Sequence, residues 1–296
     1  MGHAPKPSRR RFYDINGWSF VAPALLLIAV FMVYPIGKSL WMSVHSGQGT
    51  LVKFVGFGNA IRLASDPIFL RALSNTIIFL IIQVPIMIVL AMVLASLLNM
   101  PDLKARGFLR TAVFLPCVTS LVAYSVLFRS MFSYDGVVNS ALLKLGLVSE
   151  AVPWLTDPFW AKVVVIGALT WRWTGYNMIF FLAAMQNIDK SIYEAARIDG
   201  ISATRRFLSI TVPMLKPVIL FTAVTSTIGT LQLFDEAFNI TQGGPGDATL
   251  TLSLYIYNLS FRYVPNFGYA ATVSYVIVIL VAILAFFQFH AAQERD

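Results

Sequence analysis

Arg172 is a lone cation deep within a long apolar stretch, in the run Trp171-Arg172-Trp173-Thr174-Gly175-Tyr176-Asn177. Polar groups in such surroundings are costly unless they meet a partner or a water-filled path. Trp171, Trp173 and Tyr176 offer flat faces on which an apolar ring surface can stack, and Asn177 can bond hydroxyls. They do not all point one way on a helix, so only some can serve one solute. Arg172 has two readings, first a snorkelling or salt-bridged structural residue and second a group that contacts the transported solute. A second apolar stretch holds Thr222, Thr225, Ser226, Thr230 and Gln232, with Asp235 and Glu236 at its end. Thr222, Thr225, Ser226 and Gly229 fall near one stripe, which also suits helix–helix packing in a membrane. Asn75, Gln83, Ser274 and Tyr275 are weaker candidates of the same kind. The chemistry on offer is recognition. There is no Gly-x-x-x-x-Gly-Lys-Ser/Thr phosphate loop and no His-Glu-x-x-His pair. His3, His45 and His290 lie too far apart in the chain to suggest a metal set, so no metal is expected. Cys117 is the single cysteine and reads as a small packing residue.

The elements that position these groups follow from hydropathy. The chain has 296 residues, 57% of them hydrophobic and 12% charged, with a mean hydropathy of +0.73. A spanning helix needs about 20 apolar residues, and six segments qualify, near 19–42, 75–98, 108–130, 161–185, 214–235 and 267–289. The expected fold is an all-α integral membrane protein with six transmembrane helices, since unpaired backbone is too costly in lipid. Arg9-Arg10-Arg11 before the first span also resembles the opening of a signal peptide. The stretch is long, contains Pro23 and Pro35, and runs into Lys38-Ser39-Leu40-Trp41 instead of a small-residue cleavage site, so a retained anchor is expected.

Lys and Arg set the orientation. With a cytoplasmic N-terminus, that side holds Lys6, Arg9, Arg10, Arg11, Lys104, Arg106, Arg110, Lys190, Arg197, Arg205, Arg206, Lys216 and Arg295. The other side holds Lys38, Lys53, Arg62, Arg71, Arg129, Lys144, Lys162 and Arg262. The short inner loops are the denser, which puts both termini in the cytoplasm. The net charge of +8 fits this bias and contact with anionic membrane lipid. No soluble basic module suggests nucleic acid. External loops carry turn material at Gly56-Phe57-Gly58-Asn59, Asp66-Pro67 and Tyr134-Asp135-Gly136. Short helices are expected before Pro153-Trp154, with Trp154 and Trp160 as interfacial anchors. Pro85 is a potential kink in the second span.

Between the fourth and fifth spans lies a charged, alanine-rich passage from Asp189 to Pro217. Ser191 and Glu194 have capping-box spacing. Ile192, Ala195 and Ala196 fall near one face, and Gly200 is suited to end the helix in a left-handed conformation. A second helical piece can run through Arg205, Arg206 and Phe207, with Pro213 and Pro217 at the start of the next span. Such an element can dock in a groove of a soluble partner or lie on the bilayer as an amphipathic loop helix.

This passage resembles the EAA motif of bacterial ABC importer permeases: Glu194, Ala195, Ala196, Gly200, Ile210 and Pro213 match in type and spacing, with Val212 in the usual Leu place. The resemblance implies a coupling helix, at about 191–212, that seats on an ATPase subunit through Glu194, Ala195, Ala196, Asp199 and Gly200. Glu194 would both cap the helix and pair with a base on that partner. A second set of residues is similar to carbohydrate-uptake permeases of the MalF, UgpA and LacF type. It comprises Phe234-Asp235, Asn239-Ile240-Thr241-Gln242-Gly243-Gly244-Pro245, Thr251, Tyr255, Tyr257, Phe261 and Phe267-Gly268-Tyr269-Ala270-Ala271. The chain is too short for the extra helices and large external domain of the maltose subunit.

The family resemblance implies an ABC type I importer fold. Residues 1–70 would form the N-terminus, first span and external loop, 71–289 the transmembrane domain, and 290–296 a cytoplasmic tail. It implies a sugar substrate, a second MalG-like permease, two ATPase subunits that bind ATP and Mg2+, and an extracytoplasmic solute-binding protein facing Asn239, Gly243, Gly244 and Pro245. This chain would bind no cofactor and catalyse nothing, and would sit in the bacterial inner membrane. Glycerol-3-phosphate or another small polar solute is the alternative cargo. An autonomous secondary transporter would need an ion site and structural repeats, and neither is visible.

Overall fold

The computed structural model describes residues 9–48, 51–100 and 103–293; His3, Lys6, Arg295 and the end of the expected tail lie outside them. Helix α1 (Arg9–Ile28) passes through a π-helical turn, Ala29–Val33, into α2 (Tyr34–Ser43). The turn lies immediately before Pro35, whose missing N–H and bulky ring disrupt the bond to the carbonyl four residues earlier. A second π-helical turn, Phe207–Thr211, stands in the same relation to Pro213. After α2 comes a short antiparallel hairpin, β1 (His45–Gln48) with β2 (Leu51–Phe54), in which His45 faces Phe54. The described chain is mostly helical, and this hairpin is a local departure from the all-α expectation, because His45-Ser46-Gly47-Gln48 is too polar and too short to stand out from a loop. Asn59 fixes the hairpin to its flank, its Nδ2 donating to the carbonyls of Ser43 at 2.8 Å and His45 at 2.9 Å.

Helix α3 (Gly58–Ser65) leads to α4 (Pro67–Leu98), which runs 32 residues straight through Pro85 as one helix. Asp66 caps it, accepting from the amides of Ile68 and Phe69, while Pro67 occupies a position where no amide is needed. The expected third span is broken into α5 (Arg106–Val118) and α6 (Leu121–Met131), bent by 97°. Pro116 weakens the last turn of α5. Thr119 is extended, and Ser120 opens a new helix by accepting from the Ala123 amide. Arg110 holds the start of α5 against the end of α4 by donating to the Leu98 carbonyl at 3.1 Å.

Helix α7 (Val137–Lys144) is followed by α8 (Pro158–Gln186), capped by Asp157. The buried Asn139 ties α7 to the loop before α8. It donates to the carbonyls of Tyr134 and Val152 and accepts from the Val152 amide and Trp154 Nε1. Trp154 therefore has its indole satisfied inside the protein, edge-on to Trp160 at 4.7 Å. Helices α9 (Lys190–Ile198), α10 (Ala203–Arg206) and α11 (Val212–Met214) lead to a 71° bend before α12 (Lys216–Leu231). A π-helical turn, Ala237–Thr241, then precedes α13 (Leu252–Tyr257) and α14 (Phe267–Gln293).

Among the described residues three stretches, Gly17–Ser43, Pro67–Leu98 and Phe267–Ala291, are long and apolar enough to cross a membrane, and the number reaches five if each bent pair is one span. The mostly helical chain is thus a multi-pass membrane protein. The expected fourth span falls on α8, which has the length but carries the polar run around Arg172 and Asn177. Its neighbours α4 and α12 enclose it, with Met87, Ala91 and Ala95 packed against Met178, Phe181 and Met185. At Gly175, an added Cβ would lie 2.8 Å from the Val113 carbonyl carbon, so the backbones of α5 and α8 touch. At the other end of α4, Phe69 and Ala72 pack with Tyr255, Tyr269 and Val273.

A polar cavity between α4, α8 and α12

A cavity of about 310 Å³ lies where α4, α8 and the segment from α12 to Glu236 meet. Gln83 and Met87, one turn apart, come from α4. Leu169, Trp173 and Tyr176 form one stripe of α8, with Asn177 beside it. Thr225, Ser226, Gly229 and Thr230 come from α12, and Gln232 to Glu236 complete the wall as that helix ends. Periodicity of 3.6 brings these positions to one side of each helix, so three separate stretches converge.

The lining is partly satisfied and partly open. Thr230 Oγ1 donates to Gln83 Oε1 at 3.2 Å, and Gln83 Nε2 reaches only the sulfur of Met87, a weak acceptor. Asn177 Nδ2 donates to the Trp173 carbonyl at 3.1 Å and lies 3.4 Å from the same sulfur. Trp173 and Tyr176 stand edge to face at 5.8 Å. Glu236 is 4% exposed, and its Oε1 has no partner. Thr225, Gly229, Gln232 and Tyr176 are exposed at the rim, so this chain alone leaves the wall incomplete.

Of the sequence candidates, Gln83, Trp173, Tyr176, Asn177, Thr225, Ser226, Thr230, Gln232, Asp235 and Glu236 meet here. The others do not line the cavity. Arg172 is buried on another side of α8, donating to the Cys117 carbonyl at 3.4 Å, with its guanidinium 4.8 Å from the Tyr124 ring centre. Its Nε and Nη1 have no partner. Asn75 bonds the carbonyls of Asp247 and Leu250. Trp171 is half exposed against Phe128. Thr222 bonds back to Val218 and Ile219 within its own helix, and Tyr275 donates to the Ile36 carbonyl at 2.8 Å. Sequence reasoning did not name Tyr124, which lies beyond the α5–α6 bend from the Cys117 carbonyl, nor Met87, whose sulfur takes the Gln83 and Asn177 amides.

The Gly-Gly-Pro loop lies at the α13 end. Asn239 donates to the Asp235 carbonyl, and Gly243, at φ +84°, bonds Ala237. The Gly244 carbonyl accepts from Thr249, and Pro245 follows it. At this end Asp66 Oδ2 accepts from the hydroxyls of Tyr255 and Tyr269, both at 2.6 Å. Burial works to raise the Asp66 pKa, but these two bonds and two backbone amides outweigh it and hold the carboxyl below its ordinary value.

The opposite end carries α9. Its cap is Asp189, which accepts from the Ser191 amide at 2.9 Å, and that bond holds the Asp189 pKa below its ordinary value. The expected Ser191–Glu194 capping box is therefore displaced: Asp189 precedes Ser191 and takes the cap first. Glu194, Ala195 and Asp199 are exposed, whereas Ala196 is buried and not on the outer face. Gly200, at φ +73°, ends the helix. Its amide bonds Arg197 and the Ile201 amide bonds Ala196, the Schellman arrangement. Tyr193 and Thr211 share a 3.0 Å hydroxyl bond that pins α9 to the π-helical turn.

Residues 56–296 match the family described as binding-protein-dependent transport system inner membrane component. The chain belongs to this family. It is accordingly a permease subunit of an ABC importer, a non-catalytic membrane component. This permease is 63% identical, over the whole of both chains, to the lactose transport system permease protein LacF of Rhizobium radiobacter. It is 34% identical to the arabinooligosaccharides transport system permease protein AraP of Bacillus subtilis, over 90% of this chain and 85% of that one. A crystal structure of a bacterial ABC transporter that imports the acidic polysaccharide alginate matches its fold. The TM-score is 0.85 at 23% identity, over 97% of this permease and 100% of the other chain.

Proposed function

We propose that this permease carries a sugar through the cavity between α4, α8 and α12, in an importer assembled with a second, MalG-like permease, two ATPase subunits and an extracytoplasmic binding protein. The observation that carries this reading is the cavity itself. Three helices bring amides, hydroxyls and two aromatic rings to one space of about 310 Å³ in a chain of this family. Flat rings and hydrogen-bonding groups suit a sugar's two kinds of surface. The relatives LacF and AraP are named for the transport of lactose and of arabinooligosaccharides, which are also sugars. The cavity's exposed rim suits closure by the second permease.

Six spans follow if α8 crosses the membrane as a helix sheathed by its neighbours, where polar groups need not face lipid. The Lys and Arg bias then places both termini and α9 in the cytoplasm. The exposed Glu194, Ala195, Asp199 and capped Gly200 end of α9 becomes the contact through which ATP-driven closure of the ATPase moves the spans. ATP and Mg2+ stay on that partner. The loop at Asn239 and Gly243-Gly244-Pro245 faces the binding protein.

Co-purification of the tagged permease with the products of its neighbouring genes tests the assembly, and lactose-dependent ATP hydrolysis with and without the binding protein tests coupling. The wild type should recover a second permease and an ATPase. Glu194→Lys with Gly200→Leu should lose ATPase capture at equal expression. Stable isolation of the wild type without either partner would defeat the reading.

A further inference from the structure

Building on the reading of this cavity as the solute path, we propose that it selects uncharged sugars against anionic ones, with Asp235 and Glu236 as the residues that set the selectivity. The lining contains no Lys, Arg or His. An anion leaving water needs a cation or a set of aimed N–H donors to replace its hydration. Of the lining's amide donors, Gln83 Nε2 and Asn177 Nδ2 are already turned to Met87 and Trp173, and Gln232 stands at the exposed rim. The nearby cation, Arg172, acts on Glu236 through space but stands outside the lining, directed at the Cys117 carbonyl and the Tyr124 ring.

Two carboxyl groups do line the space. Glu236 is 4% exposed; its Oε1 makes no close hydrogen bond, the Tyr124 hydroxyl that faces it is likewise without one, and a buried acceptor in this position is suited to receive a hydrogen-bond donor. Asp235 is half-buried beside it. Ionised or protonated, neither supplies positive charge. A sugar hydroxyl donates to such an acceptor, whereas a carboxylate, sulfonate or phosphate ester brings only acceptors of its own. This separates neutral sugars from the anionic cargo that composition alone leaves open, glycerol-3-phosphate included.

Charged thiol reagents read the sign of the cavity directly. In the whole importer, with Cys117→Ala, a cysteine at Ser226 is treated with trimethylammonium-ethyl or sulfonatoethyl methanethiosulfonate. Each rate is divided by that reagent's rate with a free thiol. A single negative charge in the cavity should favour the cationic reagent, by about fivefold were it roughly 8 Å from the thiol in a water-like medium. In Asp235→Asn with Glu236→Gln the ratio should fall towards one. A native ratio at or below one, or a ratio the double variant leaves unchanged, overturns the proposal. A third arm adds lactose with the binding protein, and protection of the cysteine reports on the path itself. A preserved charge ratio without protection would sink the path reading while the cavity's charge stands.

Discussion

Gly175 offers the sharpest structural test, because the close approach of α5 and α8 depends on its lack of a side chain. A Cβ there would sit 2.8 Å from the Val113 carbonyl carbon and 3.1 Å from Phe114 Cα, with the Val113 oxygen closer still. Ordinary contact begins near 3.4 Å, so Gly175→Ala forces the helices apart by at least about 0.6 Å. The obstructing atoms are backbone, so no rotamer change relieves the clash. Overpacking of this kind costs about 1–3 kcal/mol, and this case belongs at the upper end. The same displacement draws Cys117 away from Arg172, whose bond to that carbonyl is already 3.4 Å long, leaving a buried cation less satisfied. Gly167 is the internal control: it lies on the same helix, and its Cβ would meet nothing within 4 Å. Thermal unfolding of the detergent-purified importer should show a clear loss for Gly175→Ala and none for Gly167→Ala. Equal stability of both variants would refute the close-contact argument.

Gly200→Val should loosen α9 by strain alone, since nothing lies within 4 Å but φ is +73°. At about 1–2 kcal/mol, with Gly200→Asn milder, the loss should appear as weakened ATPase capture in pull-downs. Gly268→Leu should break the seat of α14 on α2, where a Cβ would already lie 2.9 Å from the Met42 carbonyl, and lower expression of folded protein. Asp66 has a folded-state pKa below its unfolded value, so its stabilisation is full above the unfolded value, about 3.9, and is lost as pH falls through the folded one. Melting followed from pH 6 to pH 3 should show that acid-side loss flattened in Asp66→Asn, which no longer titrates. On the proposed sugar path, Trp173→Ala should leave assembly intact and slow sugar uptake about three- to tenfold through the lost stacking face, measured with the radiolabelled sugar that the wild type takes up.

What could be read from the sequence and what could not divide along physical lines. Properties written within one turn of chain were legible. Gly200 needs a left-handed backbone, Pro213 and Pro217 mark a helix start, Gln83, Asn177, Thr225 and Ser226 are polar where polarity is costly, and Trp173 is a flat ring beside them. Properties that depend on competition between neighbours were not. Ser191 has the right spacing for a cap, but Asp189 stands two residues earlier with a carboxylate and takes the amide. Ala196 lies beside Ala195 in the sequence, yet 100° of helical rotation turns it inward. The run from 108 to 130 is apolar throughout, and hydropathy is silent about a 97° break governed by Pro116, Thr119 and Ser120. That break decides the fate of Arg172. Tyr124 lies on α6, beyond the break, whereas the Cys117 carbonyl that Arg172 bonds lies on α5, before it. Folded back, α6 places an aromatic face over the guanidinium and keeps it out of the lining. The cavity's sign therefore depends on a turn between two other helices as much as on the carboxylates that border it.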